Sequence, residues 1–198
     1  MSKSGSSASK DQWAMKEFFT VVSPKYLGNI EIGQTMANSK EAVIGRVVET
    51  TLYDITGDIS LIHVKIFLQI TSVDGNKAYT IFKGHDLTRD YLRSLIRRGT
   101  TRIDGRFSVS TKDGYKMIIS TIAFTNNRAK TSQEQAVRKI MKDIVYKKAG
   151  ELNFEQFVQE AVLGKVASEI YNEAKKIVPL RKCEVRKSKL ISLPQTPS

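Results

Sequence analysis

Cysteine is almost missing from this chain: Cys183 stands alone among 198 residues. A single thiol allows no internal disulfide and no cysteine-rich zinc site, and that usage agrees with a reducing compartment. Histidine is nearly as scarce, with only His63 and His85. Long apolar runs are lacking, since none approaches the roughly 20 residues a membrane span needs. The opening MSKSGSSASK is small and polar and has no apolar stretch of the kind a signal peptide uses. The reading is therefore cytoplasmic, with no membrane partner. Also lacking are clustered carboxylates and a glycine-rich phosphate loop, because Gly75 and Gly114 sit in turns and no helix follows at the required spacing. Acidic residues are in deficit, 20 Asp or Glu against 32 Lys or Arg, which leaves a net charge of +12.

What is present bounds the answer from the other side. With 40% apolar residues the chain can bury a real core. Its excess charge is local. Residues 86–148 hold 15 Lys or Arg against 6 Asp or Glu, and residues 179–198 hold 5 against 1. Residues 149–178 are slightly acidic, which points that stretch toward packing or a protein neighbour. A localised positive field on a folded chain reads as a surface for a polyanion.

Taken in order, residues 1–11 form a polar arm, and Trp13 is the first anchor. Residues 16–23 suit a strand ended by Pro24. Residues 25–39 lack a clear period and read as an extended loop. Residues 43–54, 60–71 and 77–83 are rich in β-branched side chains, and turn signals at Thr56-Gly57-Asp58 and Asp74-Gly75-Asn76 separate them, as in an antiparallel meander. The period becomes helical over residues 86–98. There Leu87, Tyr91, Leu92, Leu95 and Ile96 share one face and Arg89, Arg93 and Arg97 another, with Asp86 or Thr88 as cap and Gly99 as stop. Residues 101–111 and 115–125 form a hairpin across Lys112-Asp113-Gly114. From Thr131 to Val178 the pattern is helical, with a capping-box spacing at Thr131 and Glu134, a break at Gly150, a cap at Asn153 and a bend at Gly164. Residues 180–192 read as a basic strand. The expected fold is α+β: a curved antiparallel sheet or small β-barrel with one inserted helix and a C-terminal helical segment of two to three helices. A single domain over residues 12–192 follows the arm at 1–11 and precedes a frayed tail at 193–198.

The basic residues nominate the site. Arg89, Arg93, Arg97 and Arg98 stand on or beside the inserted helix. Arg102, Arg106, Lys112 and Lys116 continue the charge through the hairpin. Arg128, Lys130, Arg138, Lys139 and Lys142, followed by Lys147 and Lys148, carry it along the first C-terminal helix. Arg181, Lys182, Arg186, Lys187 and Lys189 add the last strand. Arginine forks onto phosphate oxygens in a way lysine cannot. Only Asp90 and Asp143 are placed to neutralise this set through helical spacing. The pattern lacks the aromatic signature of the four-stranded RNA-stacking module, a glycine clamp loop and a zinc knuckle, so backbone and shape recognition of folded RNA is expected, with little base readout. His85-Asp86 reads as a turn and cap before a helix, His63 as a strand residue, Cys183 as packing, and Asp54, Asp58 and Asp74 as turn carboxylates. No catalytic residue, metal site or cofactor is assigned.

Five blocks carry a resemblance: DQW at 11–13, GHDLTRDYL at 84–92, KDGYK at 112–116, FTNNRAKTSQEQAVRKI at 124–140 and PLRKCEVRK at 179–187. In order and nearly end to end, they resemble the archaeal and eukaryotic small-subunit ribosomal protein family called S-three-a in animals and e-S-one in unified naming. The short arm and short C-terminus point to an archaeal member. The resemblance implies a structural, non-enzymatic protein of mixed barrel-and-helix fold in the cytoplasmic ribosome, with one copy per subunit. It would bind small-subunit ribosomal RNA on the platform near the mRNA exit and the RNA 3′ end, beside a protein of the S-eleven family and close to mRNA. It gives no residue-level contacts, so the nominated cations rest on charge alone. A free RNA chaperone or translational regulator is the alternative, and a nucleic-acid-processing enzyme ranks below both.

Overall fold

The computed structural model describes residues 16–194, so the N-terminal arm, Trp13 and the last four residues lie outside it. Eight strands make one mixed sheet. Strand β1 (Glu17–Val22) and β2 (Glu31–Ala37) form a hairpin, and β3 (Val47–Thr51), β4 (Val64–Asp74) and β5 (Lys77–Leu87) form the meander. Next come β6 (Arg102–Ser110) and β7 (Lys116–Thr125), while β8 (Leu180–Ser192) is last in the chain. The order β2-β1-β5-β8-β7-β6, with β4 and then β3 on the other flank of β5, puts the last strand near the centre. The first half of β5 pairs in parallel with β1, and its second half pairs antiparallel with β8 through Gly84–Lys189, His85–Ser188 and Asp86–Lys187. The sheet is open and not closed into a barrel, and it is mixed where a wholly antiparallel one was expected, because β1 pairs in parallel with β5.

One face carries the core. Met117, Ile119 and Ala123 of β7, Val185 and Leu190 of β8, and Ile66 and Leu68 of β4 meet the helices α3 (Thr131–Glu151), α4 (Phe154–Val162) and α5 (Lys165–Ala174). Helix α3 buries Val137, Met141, Val145 and Ala149, a strict four-residue stripe, and leaves Ile140 and Ile144 half-buried. It also covers the edge strand β6, where the Arg138 Nε donates to the Asp104 carbonyl at 3.2 Å. Covering an edge in this way blocks strand addition there. A second cluster of Phe19, Val21, Ala37, Val43, Ile70 and Ala78 seats the β1–β2 hairpin.

Several local expectations are corrected. Residues 31–37 are a strand, not a loop, because β1 offers a free edge that pairs them from Ala37 to Glu31. The run at 43–54 supplies only β3. Leu52–Thr56 turns into the short helix α1, closed by a capping box between Thr51 and Asp54. The inserted helix α2 covers only Arg89–Leu95, and Ile96 is extended. Asp86 belongs to β5 and caps nothing, the Thr88 side chain makes no cap, and Gly99 lies beyond the helix end. Arg97 is therefore off the helix, since β6 begins at Arg102 opposite Phe124 and the chain must already be extended. At the start of α3 the Lys130 N–H donates to Gln133 Oε1 at 3.0 Å, one position earlier than the expected box, and Glu134 pairs with Arg138 instead. Gly150 lies inside α3, which runs on to Glu151. The start of α4 is capped from afar: Asp113 Oδ2, in the β6–β7 turn, accepts from the Phe154 N–H at 3.0 Å. The break at Gly164 is found, with φ of 81°.

Candidate nucleic-acid interface

The sheet has a second face, opposite the helices. Along β7 the core residues alternate with Ile118, Ser120, Ile122 and Phe124. Helix α2 covers one end of this outer face, packing Leu95, Tyr91 and Leu92 on Ile122 and Phe124. The remainder carries no helix among the described residues. Register fixes what stands there. Arg106 is opposite Ser120, Ser120 is opposite Lys187, and Lys187 is opposite Asp86. In the next row Ile118 is opposite Lys189 and Lys189 is opposite Gly84.

A bulge raises the charge density. Between Thr121–Val185 and Ser120–Lys187 the register of β7 and β8 slips, and Arg186 is the extra residue. A bulge places two successive side chains where regular alternation allows one. Arg186 and Lys187 therefore both line an outer-face depression of about 490 Å³, together with Arg106, Lys189, Ser120 and Asp104. Arg186 is only partly exposed, and its Nε is buried with no hydrogen-bond partner.

The nominated cations divide into engaged and open. Arg102 holds Asp104 with a forked contact, Nε at 2.9 Å and Nη2 at 2.7 Å from Oδ2, and this raises its already high pKa. Lys187 pairs with Asp86 at 2.7 Å, Lys182 with Glu184 at 3.1 Å and Arg138 with Glu134 at 3.3 Å. Arg181 donates to the Leu95 carbonyl at 3.3 Å and so caps α2. Lys148 turns inward and joins α3 to α4 and α5 through Glu160 at 3.2 Å and Glu169 at 2.6 Å, so it leaves the basic surface. Among the described residues, Arg89, Arg93, Arg97, Arg98, Arg106, Lys112, Lys116, Arg128, Lys130, Lys139, Lys142, Arg186 and Lys189 make no ion pair; Lys142 lies 5.8 Å from the Tyr146 ring. Asp90 and Asp143 make none either; neutralisation comes instead from Glu134 along α3 and from Asp86, Asp104 and Glu184 within and across strands.

These open cations do not form one line. Arg106, Arg186 and Lys189 share the outer face. Arg89 and Arg93 project from α2, whose start borders a second depression with Lys65, Phe67 and Asp86. Arg97, Arg98, Arg128 and Lys130 lie in the loops at the β6 start and β7 end, where the Ala129 N–H donates to Thr101 Oγ1 at 3.0 Å. Lys112 and Lys116 lie at the hairpin tip, beside the α3–α4 junction. Sequence reasoning missed Ser120, Gly84 and the bulge itself. Only the glycine inside a strand pattern hinted at a close backbone approach.

His85 and Cys183 are internal, and His63 is half-buried. His85 lies in β5 with 1% exposure, not in a turn. Its Nε2–H donates to the Val185 carbonyl at 3.0 Å, its Nδ1 accepts from Ser188 Oγ at 2.6 Å, and its own N–H donates to the same hydroxyl at 3.1 Å. The carbonyl can only accept, so Nε2 carries a proton, and burial favours the neutral ring in which Nδ1 is the acceptor. Burial pushes the His85 pKa below its ordinary value. His63 lies in the turn before β4, not in a strand, and stacks on Tyr91 with ring centres 3.8 Å apart. Burial pushes the Cys183 thiol up to about 12, which makes it inert. No group of three His, Cys, Asp or Glu residues is placed to hold a metal among the described residues.

A sheet whose back is a packed core and whose front holds cations without carboxylate partners defines the class: a basic α+β protein with an open, positively charged sheet face. The family follows from comparison. The chain belongs to the Ribosomal S3Ae family, whose model matches residues 4–194. It is 50% identical over 93% of its length to the small ribosomal subunit protein eS1 of Desulfurococcus amylolyticus, covering 87% of that protein. It is 49% identical over 94% to the eS1 protein of Staphylothermus marinus, covering 88%, and 46% identical over 95% to that of Saccharolobus solfataricus, covering 90%.

Proposed function

We propose that this chain is a structural constituent of the small ribosomal subunit and binds ribosomal RNA through phosphate-backbone contacts. Membership of a ribosomal family, and close relatives named as small-subunit proteins, support the ribosomal role. The observation that carries the RNA reading is the set of open cations on the outer face and α2, held by a rigid body and left without carboxylate partners. Free in solution such a set repels itself; against ribose-phosphate it releases counterions and gains affinity. The proposed place is the platform, near the mRNA exit and the RNA 3′ end, beside a protein of the S-eleven family. That location rests on the family resemblance.

Two measurements test the reading. In a cell lysate the chain is expected to sediment with the small subunit and to stay there after a high-salt wash; recovery only at the top of the gradient would favour a free chaperone or regulator. With purified chain and small-subunit ribosomal RNA, Arg89→Ala combined with Arg93→Ala is expected to lower affinity about tenfold or more and leave Tm unchanged. A lowered Tm with unchanged affinity would make the pair structural.

A further inference from the structure

We infer that the depression around Arg186 seats one phosphodiester of the bound RNA, with Arg186 as its fork. This deepens the RNA reading above and rests on it. Four observations converge. The β8 bulge turns Arg186 and Lys187 onto the same face. Arg106 and Lys187 flank Ser120 in one cross-strand row, two strand spacings or about 10 Å apart, so long side chains from both can lean over the small hydroxyl between them. Lys189 stands in the neighbouring row opposite Ile118, and all five residues line the same depression. Finally, Arg186 Nε is buried and has no acceptor.

The last point decides the ligand class. A buried N–H without a partner is costly, and such groups are rare in folded proteins. The missing partner must be an acceptor and must tolerate the three other cations, Arg106, Lys187 and Lys189, that line the depression. Asp104 lines the rim, but its carboxylate is already taken by Arg102. A phosphate meets every condition: it offers several acceptor oxygens, its charge balances the cluster, and its geometry matches the guanidinium edge formed by Nε and a terminal nitrogen. Ser120 Oγ is placed to donate a further hydrogen bond. A base edge is a poorer fit, because the cluster holds donors without matched acceptors. Arg106, Arg186 and Lys189 therefore act together on one phosphate, whereas the arginines of α2 take separate ones.

The test compares the wild-type chain with Arg186→Ala and Arg186→Lys, using small-subunit ribosomal RNA across a salt series. For Arg186→Ala the slope of log affinity against log salt is expected to fall by about 0.7–0.9, the value of one phosphate contact. Affinity is expected to drop about ten- to a hundredfold. Arg186→Lys should keep the slope yet lose about tenfold in affinity, because the charge remains and the fork does not. Tm should hold or rise in both, since an unpartnered buried donor is removed. If both variants bind RNA with wild-type affinity and slope, or if Tm falls and binding does not, Arg186 is structural and the seat is refuted. If Arg186→Ala instead weakens binding to poly-glutamate and not to RNA, the seat belongs to a protein carboxylate and the inference fails. Absence of salt-dependent RNA binding by the wild-type chain would overturn the broader RNA reading instead.

Discussion

Two buried polar groups lie two residues apart on β8 and end differently. Ser188 faces the core and closes a complete network with His85, in which every donor finds an acceptor. Arg186 faces outward from a bulge, and its Nε–H finds none. One strand therefore carries an interaction the fold satisfies for itself and one it leaves for something else. The contrast separates polar groups the fold satisfies from polar groups it leaves unsatisfied, which charge and composition alone do not distinguish.

The strongest way to break the contrast is to separate β5 from β8. A Cβ at Gly84 would collide with the Ser188 carbonyl oxygen and approach Lys189 Cα to 3.3 Å, and both are backbone atoms that cannot swing aside. Gly84→Val is expected to destabilise by about 3 kcal/mol or more, read by denaturant unfolding. Next in size is His85→Ala, which leaves the Ser188 hydroxyl proton without its ring acceptor, removes the ring bond to the Val185 carbonyl and opens a cavity. A loss of about 2–3 kcal/mol is expected, against no loss for Arg186→Ala. Equal losses at both positions would erase the distinction.

Acid offers a gentler probe of the same network. Burial lowers the His85 pKa below its ordinary 6.5, so the unfolded chain takes up the proton more readily than the folded one. The stability His85 contributes is then fully present above about pH 6.5 and is lost as pH falls through the lowered value. The half-buried His63 is shifted in the same direction, also chiefly by burial. Tm should be flat from pH 7 to 8 and decline toward pH 5, and His85→Gln should flatten much of that decline. The smallest effect belongs to Asp86→Asn. It breaks an exposed pair with Lys187 worth about 0–1 kcal/mol, so Tm barely moves. Lys187 is released, and RNA affinity is expected to rise a few-fold in a filter-binding assay. A fall would mean that Asp86 positions Lys187 for its phosphate.

Much of the fold was legible where local chemistry speaks alone. Asp74-Gly75-Asn76 and Lys112-Asp113-Gly114 mark the turns between β4 and β5 and between β6 and β7, and the stripe Val137, Met141, Val145 gives α3 its buried side. Strand β2 was not legible, because Gly33 and Gln34 weaken its alternation and its pairing comes from β1. The length of α2 was misread for a similar reason. Its period continues to Arg97, but the start of β6 is set by its register with β7. The cations could be found by counting. Which of them are open could not, because Asp86, Asp104 and Glu184 neutralise neighbours in the sheet and not along helices.

The residues by themselves determined an α+β body, a strongly positive middle and last strand, and membership of a ribosomal family, because composition, periodicity and motif order are properties of neighbours in the chain. Tertiary structure decided that β8 lies between β5 and β7, that its bulge brings Arg186 beside Arg106, and that Lys148 and Lys187 are already paired. The strand placements depend on segments 55 (Thr125–Leu180) to 105 (Gly84–Lys189) residues apart meeting at one register, and no local preference encodes that meeting.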